Sequence, residues 1–420
     1  MTHVVIIGAG FAGLNAAKVL ANQRDVSVTL IDRENHHLFQ PLLYQVATAG
    51  LSPAEIAAPV RGILSSARNV KVLLAEATKI DLPTKAVETT VGTLHFDYLL
   101  VACGATHAYF GHDEWEVHAP GLKSLSQATE IRSRILRGFE LAESTDDLAT
   151  QRSALTFVVV GGGPTGVELA GAIGEMSRYT LARDFRKIDP RLARIILIEA
   201  GPRILPAFGE KLAARAVRDL ESLGVQVWAN SRVTHIGEQV IQVGNETLSA
   251  NTILWAAGVR ASPIGKFLQE QTDPSGRVPV TAELVLRQHP NVFVLGDLAR
   301  YINPETNAPL PGTADVAMQE GIHAAQAILR DLQQQSRIPF RYHDWGHLAT
   351  IGRSRALYES RNIKLTGYLA WWFWLLLHIY RLSGFRNRIL VLVHWAWSYW
   401  TYGRGARLIV GREWRQFSKS

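Results

Sequence analysis

The stretch HVVIIGAGFAG at residues 3–13 decides how the beginning of this chain folds. An apolar run typical of a buried strand leads into Gly8, Gly10 and Gly13, which have the spacing G-x-G-x-x-G. In a strand–turn–helix unit the first glycine makes the tight turn, the second lets backbone approach a pyrophosphate, and the third lets the helix pack on the strand. The pyrophosphate then meets the free N–H groups at the helix N-terminus.

The residues that follow complete this unit. Residues 14–20 have the pattern of a helix, and residues 26–31 form a second apolar strand that ends in Asp32. An acid at this distance from the glycines accepts a hydrogen bond from a ribose hydroxyl. We therefore expect a first dinucleotide to bind at the three glycines and Asp32. The start of the chain has no basic region and a glycine breaks its apolar run, so we expect no signal peptide.

A second unit of the same kind occurs in the middle of the chain. The apolar residues 157–160 lead into Gly161, Gly163 and Gly166, which repeat the glycine positions of the first unit. Two such units predict an α/β protein with two Rossmann-like dinucleotide-binding domains. The chemistry that suits two dinucleotides is hydride transfer from a diffusible nicotinamide to a bound flavin.

The acid of the second unit favours NADH. Residues 195–198 form the next apolar strand, and it ends in Glu199, whose charge repels the 2′-phosphate of NADPH. Arg203 lies nearby and keeps NADPH open as an alternative. The chain between the last glycine and the acid is longer in the second unit than in the first. The additional residues predict a helix extension through 178–194.

Composition excludes several other classes of protein. A length of 420 residues predicts two or three domains, and 47% hydrophobic against 19% charged residues excludes a disordered chain. The single cysteine, Cys103, excludes a disulfide scaffold, an iron–sulfur cluster and a dithiol redox centre. We interpret it as a buried small residue. The histidines show no metal-binding spacing, so we expect no metal site.

Further stretches connect the chain to a family. They are NHHLFQPLLYQVATA at 35–49, ADVAMQEG at 314–321, GHLATIG at 346–352 and GYLAW at 367–371. Together with the two glycine units, the chain resembles the flavoproteins with two dinucleotide-binding domains, and these four stretches resemble type II NADH:quinone oxidoreductases. The lack of a cysteine pair excludes the disulfide reductases and the sulfide:quinone reductases of that superfamily.

The resemblance implies the cofactors and their contacts. FAD is bound non-covalently and NADH is the substrate. Thr48, Gly104 and Ala317 contact the flavin, and Gly258 contacts the nicotinamide nucleotide. Asp297, in a glycine–acid turn after an apolar strand, accepts a hydrogen bond from a ribityl or ribose hydroxyl.

The resemblance also implies two residues that act on the electrons or protons. Gln319 lines the quinone pocket, at the start of a helix that runs beneath the flavin ring. Asp315 departs from the family pattern, which has glutamine there. Glu168 is a polar or proton-relay residue near the flavin and nicotinamide. The alternative for Glu168 is an acid in the first helical turn that pairs with the helix dipole.

The C-terminal part of the chain differs in composition from the rest. Residues 351–420 hold 12 of the 44 Lys and Arg residues, only 2 of the 37 acids, and seven of the eleven tryptophans. Two uncharged aromatic runs, at 365–380 and 389–400, are separated by arginines. Both are shorter than a membrane span, and Trp, Tyr and Arg suit the headgroup level of an anionic membrane.

We interpret these runs as two helices of a monotopic membrane anchor. A buried helical pair, a homodimer interface or a single tilted span are the alternatives. The interleaving of arginine with tryptophan fits lipid better than nucleic acid. We expect the protein at the cytoplasmic face of the inner or plasma membrane, where its quinone partner is dissolved.

These features predict three domains. The FAD-binding domain comprises 1–120 and 285–340, the NADH-binding domain 150–284, and the membrane-anchoring module 341–420. The predicted function is electron transfer from NADH through FAD to a membrane quinone without proton pumping. Two alternatives stay open: a soluble NADH-dependent ferredoxin-type reductase, and an NADH-binding flavoprotein that signals.

Overall fold

The computed structural model describes residues 1–409; residues 410–420, the end of the predicted membrane module, lie outside the described residues. The chain forms two compact units. Unit 1 comprises Met1–Leu38, Ala57–Thr106 and Val259–Trp345. Unit 2 comprises Phe39–Ile56, His107–Gly258 and the residues from Gly346 onward. The three domain ranges expected from the sequence stay predictions.

The helices differ widely in length, from one turn to about five turns. They are α1 (Phe11–Leu20), α2 (Leu43–Ala47), α3 (Pro53–Ile56), α4 (Val60–Ile63), α5 (Leu125–Ser144), α6 (Leu148–Ala154), α7 (Pro164–Glu175), α8 (Glu210–Ser222), α9 (Ala314–Leu332), α10 (Gly367–Arg381) and α11 (Phe385–Thr401).

The strands are short. They are β1 (Thr2–Ile7), β2 (Val26–Asp32), β3 (His36–Leu38), β4 (Ala57–Pro59), β5 (Val70–Leu74), β6 (Ala77–Asp81), β7 (Ala86–Thr89), β8 (Gly92–His95), β9 (Tyr98–Val101), β10 (Ala105–His107), β11 (Thr156–Val160), β12 (Arg194–Ile198), β13 (Val225–Trp228), β14 (Val233–Gly237), β15 (Val240–Val243), β16 (Glu246–Ser249), β17 (Thr252–Trp255), β18 (Val259–Ala261), β19 (Val278–Pro279), β20 (Val292–Val294), β21 (Ala299–Arg300), β22 (Ile302–Asn303), β23 (Ala308–Pro309), β24 (His347–Gly352), β25 (Arg355–Glu359) and β26 (Lys364–Thr366).

A parallel sheet of five strands is the centre of unit 1. Its order is β20-β9-β1-β2-β5, and every neighbouring pair is parallel. Such strands are covered on both faces, which explains why β1 and β9 are nearly continuous apolar runs. Helices α1 and α9 pack closely, since a Cβ on Gly321 would lie only 2.1 Å from the carbonyl oxygen of Ala12.

Unit 2 repeats this architecture with four parallel strands in the order β13-β12-β11-β17. Helix α7 follows β11 directly and packs against β24 of an antiparallel three-stranded sheet, β24-β25-β26. The approach is close, because a Cβ on Gly171 would lie 1.9 Å from the carbonyl oxygen of Ile351. Both glycine units are therefore strand–turn–helix units, as the sequence predicts.

The predicted helix extension through 178–194 is wrong. Helix α7 continues only as one wider turn, Met176–Thr180, and the chain then leaves the helix. The carboxylate of Glu143 accepts the backbone N–H groups of Arg186, Lys187 and Ile188 at 2.9–3.1 Å. These bonds satisfy the backbone of the segment without a helix.

The two aromatic runs near the C-terminus form helices α10 and α11, which confirms that part of the prediction. Many of their large apolar side chains are exposed, and they include Tyr380, Phe385, Trp397 and Trp400 at 65–82%. Among residues 1–409, no helix is both long enough and apolar enough to cross a membrane.

Candidate functional site

In the first glycine unit, an added side chain would collide with backbone at Gly8 and Gly13 but would have open space at Gly10. A Cβ on Gly8 would lie 2.4 Å from the carbonyl oxygen of Ala102, and one on Gly13 would lie 1.8 Å from that of Gly8. A Cβ on Gly10 would meet no atom within 4 Å. Gly10 stands immediately before α1, where the free N–H groups of the first turn begin. The loop therefore fits a pyrophosphate that approaches the backbone at Gly10.

Asp32 holds this loop from the end of β2. Its carboxylate accepts the backbone N–H of Ala9 at 2.6 Å and that of Glu34 at 2.8 Å. Each carboxylate oxygen can accept a second bond, so both remain able to receive a ribose hydroxyl. The predicted ribose contact is compatible with this geometry.

The second glycine unit has the same geometry. A Cβ on Gly161 would lie 2.6 Å from the carbonyl carbon of Ala256, and one on Gly166 would lie 1.8 Å from the carbonyl oxygen of Gly161. Position 163, just before α7, is open. Glu199 accepts the N–H of Gly162 at 2.7 Å and that of Gly201 at 2.6 Å. The two acids thus have equivalent roles in their loops.

Several predicted contact residues lie in unit 1, near the ends of its strands. Gly104 has a positive φ of +65° and open space where a side chain would stand. Ala317 is buried on α9, within 3.4 Å of the Cβ position of Gly296. The N–H of Gly296 is bonded by Glu320 at 2.5 Å, and burial raises the pKa of Glu320 to about 8. Glu320 thereby fixes the turn that carries Asp297.

The side-chain amide of Gln319 makes two hydrogen bonds with the backbone of unit 1. Its Oε1 accepts the N–H of His343 at 2.9 Å, and its Nε2 donates to the carbonyl oxygen of the same residue at 3.0 Å. Its predicted place in a quinone pocket stays a prediction. Asp315 lies in the first turn of α9, where a negative charge interacts favourably with the helix dipole.

Unit 2 contains a cavity of about 110 Å³, large enough for several water molecules. Aromatic rings of the C-terminal helices line it on one side, among them Trp374 and Trp395. Polar residues that lie far apart in the sequence line the rest, among them Gln45, Glu168 and Arg404. The cavity therefore combines an apolar wall with a few convergent polar groups, which is typical of a site for a small ligand.

Glu168 is a partly buried acid in the wall of this cavity. Burial raises its pKa to about 8, while a long hydrogen bond of 3.4 Å from the N–H of Thr350 favours the charged form weakly. Helix α7 begins at Pro164 and has no acid in its first turn. The alternative that Glu168 pairs with the helix dipole is therefore wrong. A carboxyl with this pKa can hold or release a proton near neutral pH.

Tyr44, Gln45 and Trp395 form a hydrogen-bonded chain along the cavity. The indole Nε1 of Trp395 donates to Oε1 of Gln45 at 2.7 Å, and Nε2 of Gln45 donates to the hydroxyl oxygen of Tyr44 at 3.0 Å. Thr48, one turn further along the chain, donates its hydroxyl to the carbonyl oxygen of Tyr44 at 2.9 Å. Thr48 thus lines the same cavity, and its predicted flavin contact stays a prediction.

Arg404 joins three parts of the cavity wall from a turn beyond α11. Its Nη1 donates to the carbonyl oxygens of Thr48 at 2.8 Å and Ala172 at 3.3 Å, and its Nη2 donates to Glu175 at 3.0 Å. The side chain is only 9% exposed. The side chain of Arg404 therefore holds the cavity wall together, whereas the sequence predicts a membrane contact for the arginines of this region.

Arg353 also lies inside unit 2. Its guanidinium stacks between the rings of Tyr399 and Tyr402, at 4.0 and 4.1 Å from the ring centres.

Burial raises the pKa of Cys103 to about 12, so this thiol is not a nucleophile at neutral pH. Within residues 1–409, no three acids, histidines or cysteines come together as metal ligands would.

Sequence reasoning missed Tyr44, Gln45, Glu175, Glu320 and Arg404. Tyr44 and Gln45 belong to the stretch 35–49, in which the family resemblance gives a role to Thr48 but to neither of these two residues. Arg404 stands between two glycines, which signals a turn, but no local pattern indicates burial. Gly258 has a positive φ of +72°, and its predicted nucleotide contact stays a prediction.

Known proteins resemble this chain over nearly its whole length. A family model described as pyridine nucleotide-disulphide oxidoreductase matches residues 2–321. Two type II NADH:quinone oxidoreductases of Mycobacterium tuberculosis, NdhA and Ndh, are 43% and 42% identical to it, over 98% of this chain and 90% and 91% of their own. The type II NADH:quinone oxidoreductase of Staphylococcus aureus is 31% identical over 83% of this chain and 87% of its own.

The fold is also found among solved structures. NDH2 from Plasmodium falciparum, in complex with NADH, superposes with a TM-score of 0.88 at 20% identity, over 96% of this chain and 99% of that one. This likeness confirms the predicted α/β fold.

Proposed function

This chain belongs to the type II NADH:quinone oxidoreductases, and from that premise we propose that it passes two electrons from NADH through a bound FAD to a membrane quinone. The observation that carries this proposal is the pair of equivalent glycine loops, each with one open position before a helix and an acid at the neighbouring strand end. Bound FAD supplies the ability to accept a hydride and release electrons to a second acceptor. No step requires proton pumping.

In this proposal the first loop holds FAD. Gly8, Gly10 and Gly13 admit its pyrophosphate, Asp32 accepts from a ribose hydroxyl, and Asp297 accepts from the ribityl chain. The family resemblance further implies flavin contacts for Thr48, Gly104 and Ala317. The orientation of the Asp297 turn depends on Glu320, through its bond to the N–H of Gly296.

The second loop then holds NADH. Gly161, Gly163 and Gly166 admit its pyrophosphate, and Glu199 accepts from the adenosine ribose. The negative charge of Glu199 disfavours a 2′-phosphate, which supports NADH over NADPH. Gly258 lies close to the nicotinamide nucleotide in this assignment.

The cavity of unit 2 is the proposed place of the quinone ring. Aromatic walls suit an apolar ring, and Gln45 and Glu168 provide polar groups for its oxygens. Glu168 acts there as a proton carrier, because burial brings its pKa to about 8. The family resemblance alone proposes Gln319 as a further quinone residue, and Gln319 is not among the residues that line this cavity.

Activity with different electron acceptors separates this function from its main rival. We expect the purified protein to oxidise NADH rapidly with a short-chain quinone and slowly with an acidic redox protein. The opposite order would favour a soluble reductase that docks an acidic carrier on its basic surface.

Substitution of Glu199 tests the assignment of the second loop. Glu199→Ala should raise the KM for NADH about tenfold or more, because a hydrogen bond to a charged group is worth about 1.5–3 kcal/mol. Glu199→Gln keeps an acceptor and should have a smaller effect. The FAD content of both variants, measured after release of the cofactor, should match that of the wild type; loss of FAD would contradict the assignment.

The exposed apolar faces of α10 and α11 support monotopic attachment to a membrane. A soluble surface rarely carries so many neighbouring large apolar side chains, and Trp and Tyr prefer the headgroup level. We propose the cytoplasmic face of the inner or plasma membrane, where a lipid-dissolved quinone reaches the cavity. A second copy of the chain is the alternative partner of these faces.

A vesicle-binding measurement tests the attachment. Serine at Tyr380, Phe385, Trp397 and Trp400 should weaken binding to anionic vesicles at least about a hundredfold, since burial of each such side chain contributes about 1.5–3 kcal/mol. The matched control has serine at four exposed apolar residues elsewhere, which are Val91, Val117, Leu148 and Leu192. Equal binding of both variants would exclude the anchor.

A further inference from the structure

We propose that Tyr44 is a catalytic residue whose phenol donates a proton to the quinone oxygen, an inference that rests on the proposed quinone reductase function. Tyr44 lies on the short helix α2, in the wall of the cavity of unit 2. No property of the sequence around it suggests a catalytic role. The geometry of its hydroxyl and of its neighbours carries the proposal.

The hydroxyl of Tyr44 has an unused proton. The side chain is 6% exposed, and its oxygen accepts the N–H of Gln45. No group among residues 1–409 accepts the O–H of Tyr44. The buried tyrosines Tyr109 and Tyr301, in contrast, donate to backbone carbonyl oxygens at 2.8 and 2.7 Å. Because an unsatisfied buried donor costs about 1–3 kcal/mol, Tyr44 is suited to an acceptor that enters the cavity.

Trp395 determines which way this proton points. An indole nitrogen can only donate, so the atom of Gln45 that meets Trp395 must be the amide oxygen. The amide nitrogen of Gln45 then faces Tyr44 and must donate to it. The hydroxyl oxygen of Tyr44 is therefore held as an acceptor from Gln45, and its own hydrogen is free for another partner.

Glu168 can return the proton to Tyr44. Both residues line the cavity, and the charge of Glu168 contributes to the raised pKa of Tyr44, after burial as the main cause. The pKa of Tyr44 lies well above its usual value, whereas that of Glu168 is about 8. A phenolate at Tyr44 is consequently a much stronger base than the carboxylate of Glu168. Proton return from the protonated Glu168 is downhill.

Reduced FAD, when bound, would supply the quinone with a hydride equivalent, which is two electrons and one proton. The phenol O–H bond of Tyr44 breaks, and an O–H bond forms on the quinone oxygen, which completes the hydroquinone. Glu168 then gives its carboxyl proton to the phenolate and recovers one from solvent. No further oxidant or reductant takes part.

The test compares two acceptors in the half-reaction that reoxidises the flavin. Wild type, Tyr44→Phe and the matched control Tyr301→Phe are reduced with NADH and mixed rapidly with a short-chain quinone or with ferricyanide, which takes electrons without protons. Tyr44→Phe should slow the limiting rate with quinone about a hundredfold. Its rate with ferricyanide, and both rates of Tyr301→Phe, should equal those of the wild type.

The pH profile adds a second readout. The steady-state rate of the wild type with quinone should fall as pH rises through about 8, where Glu168 loses the proton that restores the phenol of Tyr44 between turnovers, and the steady-state rate with ferricyanide should stay level. The proposal is overturned if Tyr44→Phe keeps its limiting rate with quinone, changes only the quinone concentration needed, or slows both acceptors equally. A wild type that does not reduce quinone at all would instead reject the proposed function.

Discussion

Valine at position 10 should give a folded protein that carries no flavin. The backbone at Gly10 is extended, with a negative φ of −69°, and a Cβ there meets no protein atom within 4 Å. The fold therefore tolerates the side chain. The methyl groups would occupy the space through which the pyrophosphate of FAD approaches the backbone. We expect loss of the cofactor and of NADH oxidation, at least about a thousandfold.

Valine at position 163 is the matched variant in the second loop. Gly163 has φ −72° and equally open surroundings. Gly163→Val should keep its FAD and lose its response to NADH, so the protein should stay yellow when NADH is added. Cofactor content and circular dichroism of both variants check the prediction. If Gly163→Val loses FAD while Gly10→Val keeps it, the two loops have been assigned in the wrong order.

Methionine at Arg404 should destabilise the protein by about 3–5 kcal/mol. The substitution removes the charge that pairs with Glu175, which is 17% exposed, and removes the side-chain donor to the carbonyl oxygen of Thr48. The carbonyl oxygen of Ala172 loses the same donor but keeps the backbone N–H of Met176. The thermal unfolding midpoint should fall by roughly 5 °C. Arg404→Lys keeps the charge but cannot reach all three acceptors, so its midpoint should lie between those of the wild type and Arg404→Met.

A double variant distinguishes the ion pair from simple loss of packing. When Arg404 is already methionine, Glu175→Gln removes a carboxylate that has lost its ion-pair partner and keeps only the backbone N–H of Arg353 at 2.8 Å. The double variant should therefore unfold at a higher temperature than Arg404→Met alone. If both variants unfold at the same temperature, Arg404 does not stabilise the folded protein through the charge of Glu175.

Local chemistry made the two glycine loops predictable from sequence. Each loop needs a glycine where a Cβ would collide with backbone, as at Gly13 and Gly166, and an acid at the next strand end. These requirements fall within about forty residues of chain. The two C-terminal helices were predictable for a similar reason, because their uncharged aromatic runs are continuous.

The cavity of unit 2 was not predictable, because it depends on contacts between distant residues. Gln45 meets Trp395 across 350 positions, and Arg404 meets Thr48 across 356. Neither contact has a periodic pattern in the sequence. The false helix extension before β12 has the same cause, since the carboxylate of Glu143 binds a segment more than forty residues away. Such pairings follow from tertiary packing alone.

Anaerobic titration of the purified protein with NADH, followed by a short-chain quinone, tests the central claim most directly. We expect a yellow protein with one FAD per chain, whose colour fades on addition of one equivalent of NADH and returns on addition of one equivalent of quinone. A colourless protein that cannot rebind FAD would contradict the claim, and so would a reduced flavin that quinone fails to reoxidise.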